Sequence, residues 1–197
     1  MSQPPPAESA SADPVPVTWS PADLRHHLDE ALDVYCAAMS YPRSAGCQRK
    51  GYVVVHTQRA GFRAVGAQDA TGAVIGFAYG YRGAPGQWWH DEVRGGLTAG
   101  PAAEWLSDTF ELCELHVRPD HQGRGLGHQL LTDLLDGCPQ QTVVLSTPEG
   151  ESRAWQLYRR VGFVDVLRRH RFAGDSREFA VLGRQLPLAG PAVRPHA

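Results

Sequence analysis

The sequence predicts an α/β domain built on a mixed sheet. Three observations predict it. The second half alternates strand, helix, strand, helix, strand; hairpin patterns flank that run at both ends; and a glycine-rich turn joins one strand to the helix after it. The elements follow in order. Val17-Thr18-Trp19 is a short strand candidate. Ser20-Pro21-Ala22-Asp23 opens a helix, with Ser at the N-cap, Pro at the first position and an acid at the third; Leu24, Leu28, Leu32 and Tyr35 then recur at helical spacing. A second helix is expected over about 45–59. Phe62 to Ala67 reads as a strand, Asp69 to Gly72 as a turn, and Ala73 to Tyr81 as the hairpin partner. Residues 82–108 form a long mixed connection with a short helix around Trp88 to Arg94. Phe110 to Val117 is a strand. Leu126, Leu130, Leu131, Leu134 and Leu135 line one helix face, which Gly137 and Pro139 end. Thr142 to Ser146 is a short apolar strand. Ala154, Leu157, Tyr158 and Val161 form a helical stripe, followed by strands over Phe163 to Leu167 and Glu178 to Leu186.

The 197 residues, 42% hydrophobic and 20% charged, suit one globular domain with tails. A Pro-, Ala- and Ser-rich tail over residues 1–16 and a second loose tail over 188–197 are expected to be disordered around a folded unit of 17–187. The formal net charge of -2 argues against a general nucleic-acid partner. No apolar run reaches the ~20 residues of a membrane helix, and the first residues carry neither a basic start nor an apolar stretch. A cytoplasmic protein without membrane partners is the expectation. Cys36, Cys47, Cys113 and Cys138 show no metal-ligand spacing, so free thiols and no metal are expected.

The chemistry concentrates after the strand ending at Val117. Gln122-Gly123-Arg124-Gly125-Leu126-Gly127 leads from a Pro119-Asp120 turn into a helix. The first amides of a helix lack intrahelical partners, and the helix dipole adds about half a positive charge there. Glycines let a phosphate approach such amides closely. A P-loop is excluded because no Lys-Ser or Lys-Thr follows. The dinucleotide fingerprint is excluded because its third glycine falls on His128.

These residues resemble the GNAT superfamily of N-acetyltransferases. The family's Gln/Arg-x-x-Gly-x-Gly/Ala loop stands here as Gln122 to Gly127, its Leu-x-Val-x-Pro strand end as Leu115 to Pro119, and its Ala-x-x-x-Tyr-x-x-x-Gly-Phe pattern as Ala154, Tyr158, Gly162 and Phe163. The resemblance covers about 110–164. It implies a single GNAT-like domain: a central sheet of about six or seven strands, about four flanking helices, and two parallel strands splayed at the cofactor site. It also implies acetyl-CoA as co-substrate, with the pyrophosphate on Gln122, Gly123, Arg124, Gly125, Leu126 and Gly127. Pantetheine is then expected along Leu115, His116 and Val117, beside Ala154. Where many members carry Asn seven residues before the tyrosine, this chain has Glu151, which removes one side-chain contact to coenzyme A. Homodimers are frequent in the family.

An amine with pKa of about 10.4 is almost wholly protonated at neutral pH, so acyl transfer needs a base, and the leaving thiolate needs an acid. The resemblance makes Tyr158 the acid, although its helical spacing also suits a core tyrosine. For the base, Glu111 matches a family position eleven residues before Gln122, Glu114 is the alternative, and a water chain is the third. Regular alternation places Glu111 and Glu114 on opposite strand faces; a bulge would break that parity. The acceptor, a primary amine of a small molecule or peptide, is expected against Tyr79, Tyr81, Trp88, Trp89 and Asp91, since aromatics with a nearby acid suit a cation. A catalytically silent coenzyme A-binding module is the competing reading.

Overall fold

The computed structural model describes residues 14–188. Most of both expected tails lies outside the described residues. A seven-stranded sheet carries the fold, in the order β1-β2-β3-β4-β5-β7-β6. The strands are β1 (Val17–Trp19), β2 (Arg63–Gln68), β3 (Val74–Gly83), β4 (Thr109–Val117), β5 (Thr142–Pro148), β6 (Val164–His170) and β7 (Phe179–Gln185). Every neighbouring pair is antiparallel except β4 and β5.

The opening helix signal holds in detail. Ser20 caps α1 (Pro21–His26) through a reciprocal box: its hydroxyl accepts from the Asp23 amide at 3.2 Å, and Asp23 accepts from the Ser20 amide at 2.8 Å. The helix is shorter than its apolar spacing suggests. It stops at His27, and α2 (Leu28–Met39) continues the apolar face. Next comes α3 (Arg43–His56). The connection after β3 folds into two helices rather than one, α4 (Trp88–Gly96) and α5 (Ala99–Leu106). Helices α6 (Leu126–Leu135) and α7 (Arg153–Arg160) lie where expected.

Alternating residues of the strands feed opposite faces of the sheet. On one face, Ile75, Ala78, Phe110, Val143 and Leu145 pack against Leu130, Leu131 and Leu134 of α6 and Leu157 and Tyr158 of α7. On the other, Phe77 and Tyr79 pack under Leu28, Leu32 and Val53 of α2 and α3, and Val144 and Val181 pack under Val93, Trp105 and Leu106 of α4 and α5. Each fully buried leucine contributes roughly 1.5–3 kcal/mol.

One irregularity positions the site. The β3–β4 register passes from Tyr79 opposite Glu114 to Gly80 opposite Leu112, leaving Cys113 as an extra residue on β4. Tyr79 and Tyr81 share a face, so their partners Glu114 and Glu111 share it too. Gly80 makes this possible: a Cβ there would stand 2.1 Å from the Glu111 carbonyl oxygen and 2.5 Å from the Phe110 ring. Gly80→Ala is therefore expected to destabilise the fold by on the order of 2–3 kcal/mol through overpacking against rigid backbone, measured as a lower urea midpoint.

Candidate active site

The glycine-rich loop is built as an open cradle. Gly123 and Gly125 have φ of +79° and +87°, and Gly125 caps α6 with no side chain over the first-turn amides. A Cβ on Gly125 would meet nothing within 4 Å, so the space above those amides is free. Gln122 braces the loop: its Nε2 donates to the Val117 carbonyl at 2.9 Å, and its Oε1 accepts from Arg153 at 3.4 Å. That bond holds the Arg153 guanidinium 3.9 Å from the place a Gly123 Cβ would take. Arg153, which sequence reasoning missed, adds a cation to the amide cluster, and the set fits a diphosphate. Leu126 is buried in the core, so it offers only backbone, while the Arg124 side chain is exposed. Gly125→Val is expected to weaken coenzyme A binding at least about 100-fold in titration calorimetry. Its side chain would fill the cradle, and an L-residue there is strained.

From the loop a cleft of about 810 Å³ runs between β4 and β5. These strands pair only at 109–111 against 142–144 and then separate. Beyond Glu111, the β4 edge has no strand partner on the β5 side, and of its carbonyls Val117 is taken by Gln122, which leaves main-chain groups for an amide-bearing arm such as pantetheine. Leu115, His116, Val117, Gln122, Gly123, Gly125, Gly127 and Ala154 all line this cleft.

The gap also lets groups from the two faces of the sheet meet. Tyr158 enters from the α7 face and Glu114 from the opposite face, and both line the cleft. Burial, with a smaller push from the Glu114 charge, raises the Tyr158 phenol above its ordinary value. Glu114 is buried and opposes burial with two partners. Arg49 pairs with it from α3, and His116 Nε2 lies 2.5 Å from its Oε2. Burial pushes the Glu114 carboxyl up, but Arg49 and His116 outweigh that and hold it below the usual carboxylate range.

Glu111 behaves in the opposite way. Tyr81 donates to its Oε1 at 3.2 Å, the Cys113 thiol approaches the same oxygen at 3.6 Å, and Oε2 is buried without a partner. Burial dominates and raises its pKa to about 7. It sits one side chain behind the cleft wall, with Cys113 between. Nearby, His56 bonds the Tyr79 hydroxyl at 3.1 Å; burial, aided by Arg49, pushes this imidazole down to about 4 and keeps it neutral.

Residues 28–163 match the acetyltransferase (GNAT) family. The chain belongs to that family. A GCN5-like protein acetyltransferase of Mycobacterium tuberculosis is 44% identical over 85% of this chain and 96% of its own length. The N-alpha-acetyltransferase RimI of the same organism is 40% identical over 32% of this chain and 40% of its own. Among solved structures, yncA of Salmonella typhimurium with its cofactor acetyl-CoA superposes with a TM-score of 0.59 at 18% identity, covering 93% of this chain and 100% of that one. The ribosomal-protein-S18-alanine N-acetyltransferase of Escherichia coli gives 0.58 at 17% identity, with 92% and 99% covered. Both share the fold.

The structure of this GNAT domain places the five residues expected to meet the acceptor outside the lining of the cleft. Tyr79 is wholly buried under α3, stacked 5.9 Å from Phe62 and bonded to His56. Tyr81 is spent on Glu111. Trp88 and Asp91 lie on the outer side of α4, with Asp91 accepting from the Gly86 amide at 3.0 Å. Trp89 reaches only the back of the wall, donating to the Ser146 hydroxyl at 3.0 Å. The physical reason is shared: the β3 tyrosines face helices that cover them, and α4 buries its own His90 and Val93 instead of turning its tryptophans to the cleft. The wall is made by Tyr35, Met39, Tyr41 and Arg49 on one side and Arg177 and Phe179 on the other. No local motif marks these residues. Among the described residues, no helix is long and apolar enough to cross a membrane.

Proposed function

We propose that this chain is an acetyl-CoA-dependent N-acetyltransferase that acylates a primary amine by direct attack. One observation carries the reading: the β4–β5 gap joins a diphosphate cradle at one end to the Tyr158 phenol at the other, with the neutral-range carboxyl of Glu111 one side chain behind the wall. The loop amides and Arg153 hold the diphosphate, and the open β4 edge aligns the pantetheine amides. Tyr158 stays protonated throughout the neutral range and donates to the sulfur as the C–S bond breaks. Glu111 receives the amine proton through water at the Cys113 bulge. Its pKa near 7 is matched to that task, whereas the doubly paired Glu114 anchors Arg49 and His116. The likeness to a protein acetyltransferase over most of both chains favours a protein or peptide amine as acceptor.

The test is thiol release from acetyl-CoA with a panel of amines: lysine-bearing peptides, free peptide N-termini, polyamines and aminoglycosides. Turnover with at least one, and an acetylated product by mass, is expected. Binding of coenzyme A without turnover on the whole panel would replace this reading with a silent cofactor-binding module.

A further inference from the structure

The two walls of the acceptor end are joined across the cleft. Arg177, on the segment between β6 and β7, donates from Nη1 to the Tyr41 hydroxyl at 2.5 Å, over a chain separation of 136 residues. Both residues line the cleft. Each is held from behind. Asp175 accepts from Arg177 Nε at 3.0 Å and from Nη2 at 2.6 Å, and the guanidinium lies 5.2 Å over the Phe179 ring. Tyr41 meets the edge of Tyr35 at 5.8 Å, and Arg49 covers Tyr35 at 5.2 Å on its way to Glu114. A fork-bound guanidinium and a packed phenol are pre-organised groups, so the contact between them is a built bridge. While it stands, nothing passes between the two side chains.

We propose that the Tyr41–Arg177 bridge sets the width of the acceptor entrance, so that the chain accepts amines carried on a slender, unbranched arm and excludes those on bulky frames. This rests on the function proposed above and names the acceptor shape for the same cleft. Arg177 and Tyr41 act here as specificity determinants; neither handles the transferred protons.

Cys113 reports access without any catalysis, because it is a half-buried residue that lines the same cleft as the bridge. Its alkylation by a small maleimide and by a bulky, ring-substituted maleimide can be followed by peptide mass mapping with coenzyme A filling the opposite mouth. Wild type should label at least about tenfold faster with the small reagent. Arg177→Ala and Tyr41→Phe should bring the two rates within about threefold. Both reagents meet the same thiol, so its reactivity cancels in the ratio. Unchanged ratios in both variants overturn the filter. In turnover, the same variants should raise kcat/KM for a bulky amine relative to a slender one by about tenfold, and an unaltered preference also overturns it. Labelling needs no transfer chemistry and coenzyme A binding is measured separately, so failure of the filter and failure of the transferase reading are told apart.

Discussion

Glu111→Gln is expected to abolish most activity while making the protein more stable above neutral pH. The two effects share one cause. Burial lifts the Glu111 carboxyl from an ordinary 4.5 to about 7, with Oε2 left unpartnered. A base must be ionised to act, so wild-type kcat/KM should rise with pH up to about 7 and then level. Removing the base should cost roughly 10²–10⁴-fold and erase that limb. For stability the sign runs the other way. A carboxyl whose folded pKa lies above its unfolded one binds its proton more tightly when folded. Wild type therefore loses stability as pH climbs from about 4.5 to about 7, by up to about 3 kcal/mol, and stays level above. Gln is nearly isosteric and does not ionise, so the variant escapes this loss. Urea melts of both proteins at pH 5 and pH 8 isolate the difference, since all other titrating groups are common to them. A variant that keeps the wild-type pH–rate limb, or gains nothing at pH 8, removes Glu111 from the role assigned to it.

Tyr158→Phe should lower kcat about 10²–10³-fold with little change in coenzyme A affinity or in stability. The ring packs at 5.4 Å from Phe163 within the core and would remain. The hydroxyl has no protein partner among the described residues and faces the cleft, so its loss leaves nothing buried unpaired. What disappears is the donor at the sulfur, a contact that strengthens only as the thiolate forms, so the effect belongs in kcat. Thiol-release kinetics beside titration calorimetry separate the two quantities. A variant with wild-type kcat would reduce Tyr158 to the packing role that its helical spacing equally permits.

The carboxylates show where sequence reading reaches its limit. Both were visible as acids in an apolar strand, but their spacing of three placed them on opposite faces. Their common face depends on a bulge at Cys113, and that bulge depends on a glycine in the neighbouring strand, where any Cβ would strike the Glu111 carbonyl. Their opposite protonation behaviour depends on partners farther still. Arg49 comes from a helix 65 residues before Glu114, while Glu111 has only a phenol and a thiol beside Oε1. The lining of the cleft was hidden from the sequence for the same reason. Aromatic residues cluster in the chain between Tyr79 and Trp89, yet helices cover them or turn them outward, and the cleft instead draws on positions as distant as 35 and 179.

What local chemistry dictates was readable from the residues alone: the capping box at Ser20, the glycine turn that bares helix amides to an anion, the leucine face of α6, and the family these features imply. Such features arise from a few neighbouring residues and from backbone geometry. The convergence of Tyr158 with Glu114, the opposite pKa shifts of Glu111 and Glu114, and the bridge from Tyr41 to Arg177 needed the folded molecule. Each arises from contacts between elements far apart in the chain, where burial and a neighbour's charge decide what a side chain can do.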